Sequence, residues 1–463
     1  MSILFLLLVS ISGLLPFSAF GENGHPWPKA MRLELVHRNA LDVLETKYLP
    51  QKTRFERVQE LVNDDNLRKE MINRRVSGGR RKALALLPEA QLKLSSGAYA
   101  GTGQYFVPFR VGTPPQTFLL IPDTGSDLTW ISCHYRCYNC GKRRYKGRGH
   151  QRRFFHADRS ISFKTIPCLT DTCKDLPLSV AQCPTPMTPC SYQYSYEDQS
   201  SAFGFFANET VTVDLTNGRS MKLHQFPIGC SKSFNGSSFN VADGVLALSF
   251  NKHSFAFKAM NTFGGKFSYC LVDHLSPQNV SNYLVFGSDH NTGTSNMQRT
   301  QLVVGVVDTF YAVKVLGISI AGSLLDIPLS LWDVTHQGGA IIDSGTTLTL
   351  LAEPAYGVVM TSLRLALMKY KEVEVSQFDF CFNEVGFDEA VVPKLVFHFA
   401  DGAQFEPPVK SYVIEVVDGV RCIGFMPGEW NGISIIGNIM QQNFLWEFDL
   451  VNEKLGFVPS TCT

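Results

Sequence analysis

The chain has 463 residues, enough for one large domain or two of medium size, each with a sizeable apolar core. Its formal net charge of +1 argues against a protein that binds nucleic acid through its overall charge. Twelve cysteines, an even number, together with many glycines and phenylalanines, favour a β-rich chain that folds in an oxidising compartment.

Residues 1–21 are typical of a secretory signal peptide. A short apolar segment, 3–15, is followed by Ser18, Ala19, Phe20 and Gly21, which suit a small-residue cleavage site. A membrane anchor is the alternative, but the apolar segment is shorter than the roughly 20 residues that a spanning helix needs. No later segment is long and apolar enough to span a bilayer. We therefore expect a protein of the secretory pathway with no stable membrane insertion.

Residues 22–95 differ in composition from the rest of the chain, with no cysteine and many lysines and arginines. Within them, 53–73 mixes charged and apolar residues at helical spacing, and basic clusters lie at 74–75 and 80–82. A solvated helical linker would have this composition. A basic prosegment that covers an acidic site would have it too.

The next segment predicts a strand and a turn. Tyr105, Val107, Phe109 and Val111 alternate with other residues, as in a half-buried strand, and a proline-rich turn comes after them at 113–116.

Two similar motifs dominate the remaining chain. Residues 119–130 read LLIPDTGSDLTW, and residues 340–351 read AIIDSGTTLTLL. One Asp-hydroxyl-Gly-hydroxyl motif alone is an ordinary turn. The second copy indicates a duplicated architecture that brings Asp123 and Asp343 together. Two adjacent carboxyls share a proton, so one can accept a proton from water while the other donates to a substrate carbonyl.

At these motifs the chain resembles the pepsin-like aspartic proteases, in particular the nepenthesin-type branch of plants, over roughly residues 97–463. The resemblance implies a mostly β, bilobal pepsin-like acid protease fold, with two pseudo-symmetric antiparallel β lobes and a central active-site cleft. It also implies an amino-terminal lobe at 96–290, a carboxy-terminal lobe at 291–463, and a prosegment at 22–95 that covers the cleft.

The function that the resemblance implies is a secreted aspartic endopeptidase, made as a zymogen, that cleaves proteins and peptides at acidic pH. We expect a monomer in the extracellular space or apoplast, with the vacuole or chloroplast less favoured, and no cofactor or metal. The catalytic residues would be Asp123 and Asp343. Their supporting residues would be Thr124, Gly125, Ser126, Ser344, Gly345 and Thr346.

The resemblance also places a flap, a hairpin that closes over substrate, at residues 190–210. Tyr196 occupies the position of the flap tyrosine, and Trp130 that of an aromatic residue that supports the flap. An ordinary tyrosine-rich strand is the alternative. The family usually has glycine where Glu197 and Gln199 stand, which affects flap geometry.

A further departure lies in the loop expected behind Asp123, where Ala247 replaces a glycine. If the backbone had a positive φ there, alanine would cost about 1 kcal/mol.

Residues 133–190 contain seven cysteines and a basic segment, 136–153. Cys133, Cys137 and Cys140, with His134 and His150, have a spacing compatible with zinc, but the secretory context favours disulfides. The basic segment could bind nucleic acid or another polyanion; a solvated surface loop is favoured. The resemblance implies the pairs Cys133–Cys137, Cys140–Cys230, Cys168–Cys190, Cys173–Cys183, Cys270–Cys462 and Cys381–Cys422.

Asn208, Asn235 and Asn279 begin glycosylation sequons. The rival function from another class is a catalytically inactive binding or inhibitor protein on the same fold, since fold does not determine function. Such proteins typically lose an Asp motif, and both motifs are intact here.

Overall fold

The structure is a computed structural model. It describes residues 30–37, 105–135, 153–176, 179–180, 185, 187–195, 201–235, 242–273, 282–287, 296–336, 338–429 and 432–462, together with helical positions 55, 56, 58, 59, 62, 63, 65, 66, 68, 69 and 72. We call these helical positions the amino-terminal helix.

The first half of the described chain is built mainly of strands. They are β1 (Met31–His37), β2 (Tyr105–Val111), β3 (Gln116–Asp123), β4 (Trp130–His134), β5 (Phe155–His156), β6 (Lys164–Thr165), β7 (Ser179–Val180), β8 (Ser191–Ser195), β9 (Ser201–Asp214), β10 (Ser220–Asn235), β11 (Gly244–Ala247), β12 (Lys266–Cys270) and β13 (Asn282–Phe286). Helices α1 (Asp171–Asp175) and α2 (Phe255–Phe263) and a 3-10 turn (Ala157–Arg159) interrupt them.

The second half has the same plan. Its strands are β14 (Gln298–Val303), β15 (Tyr311–Val313), β16 (Val315–Ile320), β17 (Ser323–Leu324), β18 (Ala340–Ile342), β19 (Thr349–Leu351), β20 (Cys381–Asn383), β21 (Leu395–Phe399), β22 (Gln404–Phe405), β23 (Val413–Val417), β24 (Val420–Ile423), β25 (Phe425–Pro427), β26 (Ser434–Ile436), β27 (Phe444–Asp449) and β28 (Lys454–Pro459). It also contains helix α3 (Glu353–Leu367) and 3-10 turns at Leu329–Trp332, Val334–His336, Glu389–Val391 and Val409–Ser411.

The two halves repeat one arrangement of four strands. In the first, β3 is parallel to β11, β11 is antiparallel to β4, and β4 is parallel to β10. In the second, β18, β26, β19 and β25 repeat this order and these directions. Asp123 is the last residue of β3, and Asp343 comes directly after β18. The predicted mostly β, pseudo-symmetric fold is confirmed, with parallel pairs where the two Asp strands lie.

A sheet of antiparallel neighbours joins the halves, in the order β1, β13, β12, β27, β28, β14. Strand β1 belongs to the predicted prosegment, and sequence analysis predicted no strand there. Met31, Leu33 and Leu35 are buried, while Arg32 and Glu34 are exposed. This alternation gives β1 one apolar face, which packs into the core.

Helices α2 and α3 cover the sheets with apolar faces. Ser254 caps α2 by accepting a hydrogen bond from the backbone N–H of Phe257, and Gly264, with a φ of 82°, caps its carboxy-terminal end. Phe255 of α2 packs edge-on against Phe109 and Phe286, each with a ring-centroid distance of 5.1 Å.

The described disulfides differ from the predicted set at four pairs. Cys133 pairs with Cys230, and Cys173 pairs with Cys190. The predicted pairs Cys133–Cys137, Cys140–Cys230, Cys168–Cys190 and Cys173–Cys183 are therefore wrong. Cys168 is also disulfide-bonded. The pairs Cys270–Cys462 and Cys381–Cys422 are present as predicted.

For Cys133 and Cys230 the reason for the difference is sheet pairing, which order along the chain does not reveal. Strands β4 and β10 are parallel neighbours, so Cys133 and Cys230 have Cα atoms 5.1 Å apart. This disulfide also removes Cys133 as a zinc ligand. Among the described residues there is no cluster of three or more metal-ligating side chains.

Other predictions fall partly or wholly on residues outside the described ranges. These include Cys137, Cys140, Cys183, Asn279 and the basic segment 136–153. Asn208 lies in β9 and Asn235 ends β10, and their glycosylation stays a prediction. No helix within the described part of the chain is long and apolar enough to cross a membrane.

Candidate active site

Both Asp motifs hold their carboxylates in the same way. Asp123 accepts hydrogen bonds from the backbone N–H of Gly125 at 2.9 Å and from the Ser126 hydroxyl at 2.5 Å. Asp343 accepts the matching pair, from Gly345 N–H at 3.0 Å and from the Thr346 hydroxyl at 2.5 Å. Each loop thus fixes one buried carboxylate without a basic residue of its own.

The second residue of each motif ties the two loops together. Ser344 N–H donates to Thr124 Oγ1 at 2.9 Å, and Thr124 N–H donates to Ser344 Oγ at 3.1 Å. The Ser344 hydroxyl also donates to the Pro122 carbonyl at 3.1 Å. This reciprocal pairing holds Asp123 and Asp343 face to face, as the duplicated motif predicted.

The glycines of both motifs keep the space between the carboxylates open. A Cβ added at Gly125 would lie 2.6 Å from Arg68 Nη2, and one at Gly345 would lie 2.5 Å from the same atom. Both distances are shorter than any normal contact, so only glycine fits while Arg68 is in place.

Arg68, from the amino-terminal helix, lies between the two carboxylates. Its Nη2 donates to Asp123 Oδ1 and to Asp343 Oδ1, at 2.7 Å each, and its Nε donates to Asp343 Oδ2 at 2.6 Å. All three side chains are almost fully buried. One guanidinium therefore bonds both acids of the pair and offsets part of their negative charge.

These contacts control protonation. Burial by itself would raise the pKa of Asp123. The charge and hydrogen bonds of Arg68, together with the hydrogen bonds from Ser126 and Gly125, instead hold that pKa below its usual value. Burial also opposes the charge of Arg68, yet the two carboxylates raise its pKa above the usual value for arginine. The cluster is thus an ionised arginine held by an acidic pair.

Asp65, an acidic residue of the amino-terminal helix, anchors the helix to the Asp343 loop. Asp65 lies on the same helical face as Arg68, three residues earlier, and is buried. Its carboxylate accepts hydrogen bonds from the backbone N–H of Thr347, at 2.8 Å, and of Leu348. Lys69 adds a bond from its Nζ to the Pro427 carbonyl at 3.0 Å.

The apolar side of the helix completes the fit. Val58, Val62 and Ile72 are buried in one cluster that also contains Trp130 and Phe310. Their spacing matches successive turns of a helix, so the helix presents a continuous apolar face in which Asp65 and Arg68 are the polar members.

Burial has a strong effect on Asp65. It raises the pKa of this carboxyl from 3.8 to about 7, and the N–H donors of Thr347 and Leu348 and the charge of Arg68 offset only part of the rise.

The remaining predicted site residues lie around this centre. Trp130 begins β4, is buried, and belongs to the same apolar cluster as Tyr192 of β8. Strands β8 and β9 pair from Ser191↔Phe205 to Ser195↔Ser201, which forms the hairpin predicted for the flap. Tyr196, Glu197 and Gln199 lie outside the described residues, so the flap role stays a prediction.

Ala247 causes no strain. It ends β11, and it is not among the residues with positive φ. Its counterpart Gly437 is required for a different reason, because a Cβ there would lie 2.6 Å from the Thr347 carbonyl oxygen.

Sequence analysis missed Arg68 and Asp65 as individual site residues. The sequence feature that could have identified them is the presence of two charged residues on the apolar face of the helix, between Val62 and Ile72. Such a pair on a buried face needs partners of opposite charge or backbone donors in the rest of the fold.

Taken together, two repeated β units and an interlocked pair of Asp loops define the pepsin-like class of acid protease. Comparisons with known proteins agree. A family model described as Xylanase inhibitor N-terminal matches residues 105–288, and one described as Xylanase inhibitor C-terminal matches residues 310–459.

Similar proteins from plants are named as aspartic proteases. Aspartyl protease family protein 2 of Arabidopsis thaliana is 37% identical, over 79% of this chain and 73% of its own. Aspartic proteinase nepenthesin-1 of Nepenthes gracilis is 31% identical, over 92% of this chain and 94% of its own. The crystal structure of basic 7S globulin from soybean matches with a TM-score of 0.62 and 20% identity, covering 78% of this chain and 92% of that one, which shows the shared fold.

The chain therefore belongs to the pepsin-like aspartic protease family of plants, and its enzyme class is that of the aspartic-type endopeptidases.

The docked helix should be most stable near pH 4. The lowered pKa of Asp123 means that its contact with Arg68 stabilises docking above pH 3.8 and that this contribution is lost as the pH falls further. The raised pKa of Asp65 has the opposite effect. Its contribution is complete below pH 3.8 and is lost as the pH rises to about 7. Hydrogen–deuterium exchange of peptides covering 55–72, corrected for intrinsic rates, measures this.

Two variants separate the contributions. Asp65→Asn should flatten the protection between pH 3.8 and about 7, and Arg68→Met should remove the decline below pH 3.8. Equal protection from pH 3 to pH 8 in the unmodified chain would contradict this linkage.

Proposed function

We propose that this chain is the zymogen of a secreted aspartic endopeptidase that uses Asp123 and Asp343 to activate a water molecule. The observation that carries the proposal is the guanidinium of Arg68, held by both carboxylates at 2.6–2.7 Å. A cation in this position occupies the place where a water and a substrate carbonyl would have to bind.

The chemistry depends on two carboxyls that face each other. With Arg68 absent, like charges this close cannot both ionise, so the pair holds one proton. The ionised carboxylate accepts a proton from water, which attacks the peptide carbonyl. The protonated carboxyl donates a hydrogen bond to the carbonyl oxygen, and a proton then passes to the leaving amine.

The loops prepare the pair for this role. Ser126 and Thr346 each donate a hydroxyl hydrogen bond to Oδ2 of their own Asp, and Gly125 and Gly345 donate from the backbone to Oδ1. Each of these donors favours the ionised form of the carboxylate that it contacts.

Latency comes from the amino-terminal helix. Arg68 blocks the acid pair, Asp65 occupies two backbone donors beside Asp343, and Val58, Val62 and Ile72 fill apolar space next to Trp130. Peptide substrates would need this same region, since it adjoins both carboxylates. Removal of residues 22–95, or displacement of the helix, would then expose the site.

Secretion is part of the proposal. The signal-like residues 1–21 and the disulfides suit an oxidising route, with the extracellular space as destination. The substrates would be proteins and peptides, and the active form would be a monomer.

Catalysis should depend on both acids. Asp123→Asn and Asp343→Asn should each lower kcat by a factor of about 10² to 10⁴ or more. Each substitution removes one of the two carboxyl groups that accept and donate protons. The acid-activated protein is assayed against a peptide library below pH 5, with circular dichroism to confirm folding. Turnover that persists in either folded variant would refute the assignment.

Latency should depend on Arg68. Arg68→Met removes the cation from a buried cluster, which weakens helix docking by about 3–5 kcal/mol. The full-length variant should cleave peptides at about pH 4.5, where acid pairs of this kind hold one proton and the unmodified full-length chain is still latent.

Lys69→Met is the matched control. Lys69 is the next basic residue of the helix, and its Nζ donates to the Pro427 carbonyl rather than to either acid. This variant should leave latency nearly intact. Equal activity of the Lys69 and Arg68 variants would show that general loosening of the helix, and not the Arg68 contact, controls access.

A binding protein without catalysis is the alternative function. It has support from the matching family models, whose descriptions name xylanase inhibitors. Intact hydroxyl and glycine residues around both acids favour catalysis. Activated protein that binds peptides or glycosidases tightly, yet never cleaves a peptide in the library, would favour the binding function.

A further inference from the structure

The two halves of the site differ in how they hold the backbone carbonyl of the catalytic acid. Equivalent positions are identified by one matching bond, since Ala247 N–H donates to Thr129 Oγ1 at 3.1 Å and Gly437 N–H donates to Thr349 Oγ1 at 3.2 Å. The next residues along the chain, Leu248 and Asn438, are therefore counterparts.

These counterparts bond differently. Leu248 N–H donates to the carbonyl of Asp123 at 2.9 Å, which continues the parallel pairing of β3 and β11. Asn438 N–H donates instead to the carbonyl of Thr346, at 2.8 Å. In the second half, the backbone thus does not supply the donor that Asp123 receives in the first.

Gln441 supplies that donor from its side chain. Its Nε2 donates to the Asp343 carbonyl at 3.2 Å and to the Ile436 carbonyl at 2.7 Å. Ile436 is the residue whose carbonyl accepts the N–H of Asp343, at 3.2 Å. One buried amide therefore bonds the Asp343 carbonyl directly and shares the Ile436 carbonyl with the Asp343 N–H.

The amide itself is held in one orientation. The Tyr269 hydroxyl donates to Gln441 Oε1, and burial keeps the pKa of Tyr269 well above its usual value, so the phenol remains a donor. The indole N–H of Trp446 fixes the main chain by donating to the Gln441 carbonyl at 2.9 Å. Because Oε1 accepts from Tyr269, the NH₂ group must face Asp343.

We propose that Gln441 is a positioning residue for Asp343, oriented by Tyr269. This inference rests on the proposed function, in which Asp343 is one of the two catalytic acids. The bonds of the Gln441 side chain reach the backbone of Asp343 and not its carboxylate. They fix the peptide plane from which the Asp343 side chain projects, and a small rotation of that plane would misalign the acid pair.

The matched control is the neighbouring glutamine. Gln442 is also buried, and its Nε2 donates to the Tyr105 hydroxyl at 2.9 Å rather than to the backbone of Asp343. Gln441→Met and Gln442→Met each remove one buried side-chain amide and should lower the melting temperature to a similar extent. Gln441→Met should also lower kcat about tenfold, with KM changed less than about twofold, whereas Gln442→Met should leave kcat within about twofold.

Two further variants test orientation and rescue. Tyr269→Phe should lower kcat by a smaller factor, because the amide remains but can turn. Gln441→Glu should restore part of kcat at low pH, where its protonated carboxyl donates one bond, and should lose that gain as the pH rises. These variants also decide the question if Gln441→Met fails to fold.

A kcat loss shared equally by Gln441→Met and Gln442→Met, or none in either, would overturn the positioning role. So would a Gln441→Glu variant whose kcat, relative to the unmodified enzyme, does not change with pH. If Asp343→Asn retains turnover, the proposed function fails. If Asp343→Asn is inactive while the Gln441 variants behave like the Gln442 control, only the positioning role of Gln441 fails.

Discussion

The structure depends on one buried cluster of charges, Arg68 between Asp123 and Asp343. Two carboxylates cannot remain ionised side by side in a water-poor cleft unless a cation compensates them, and a buried cation needs the carboxylates equally. The cluster also joins segments far apart in the chain, since each acid comes from a different half and the arginine from a helix that precedes both. In the function proposed above, latency and catalysis are two states of the same acid pair.

Duplication explains why the pair can be built so accurately. Each half delivers its acid at the end of a buried strand, holds it with its own glycine and hydroxyl donors, and interlocks through Thr124 and Ser344. The repeat is imperfect where the chain leaves the second Asp loop. There a glutamine side chain takes over a bond that the backbone makes in the first half. Pseudo-symmetry fixes the acids, and side chains outside the motif correct the differences.

Sequence alone predicted the acid pair, its hydroxyl partners and the β-rich fold, because these depend on a short motif that occurs twice. It could not select Arg68, since helical spacing indicates a buried face but not which residue of that face meets the acids. The predicted pairs of Cys133 and of Cys230 were wrong because order along the chain does not show that β4 and β10 are neighbours. Those of Cys173 and Cys190 were wrong because the fold brings α1 next to Cys190, with the two Cα atoms 5.7 Å apart. The sequence could not show whether Ala247 is strained, because strain there depends on the backbone φ, which is not positive in the structure.

The central claim is that Arg68 blocks an acid pair that could otherwise bind substrate. The most direct test is to titrate a statine-type peptide into full-length protein, because the hydroxyl of that peptide takes the place of the attacking water. Isothermal calorimetry at about pH 4.5, where acid pairs of this class carry one proton, compares the unmodified chain with Arg68→Met. We expect tight binding to the variant and at least about 100-fold weaker binding to the unmodified chain, the factor that corresponds to about 3 kcal/mol of helix docking. Equal affinity for both proteins would contradict it.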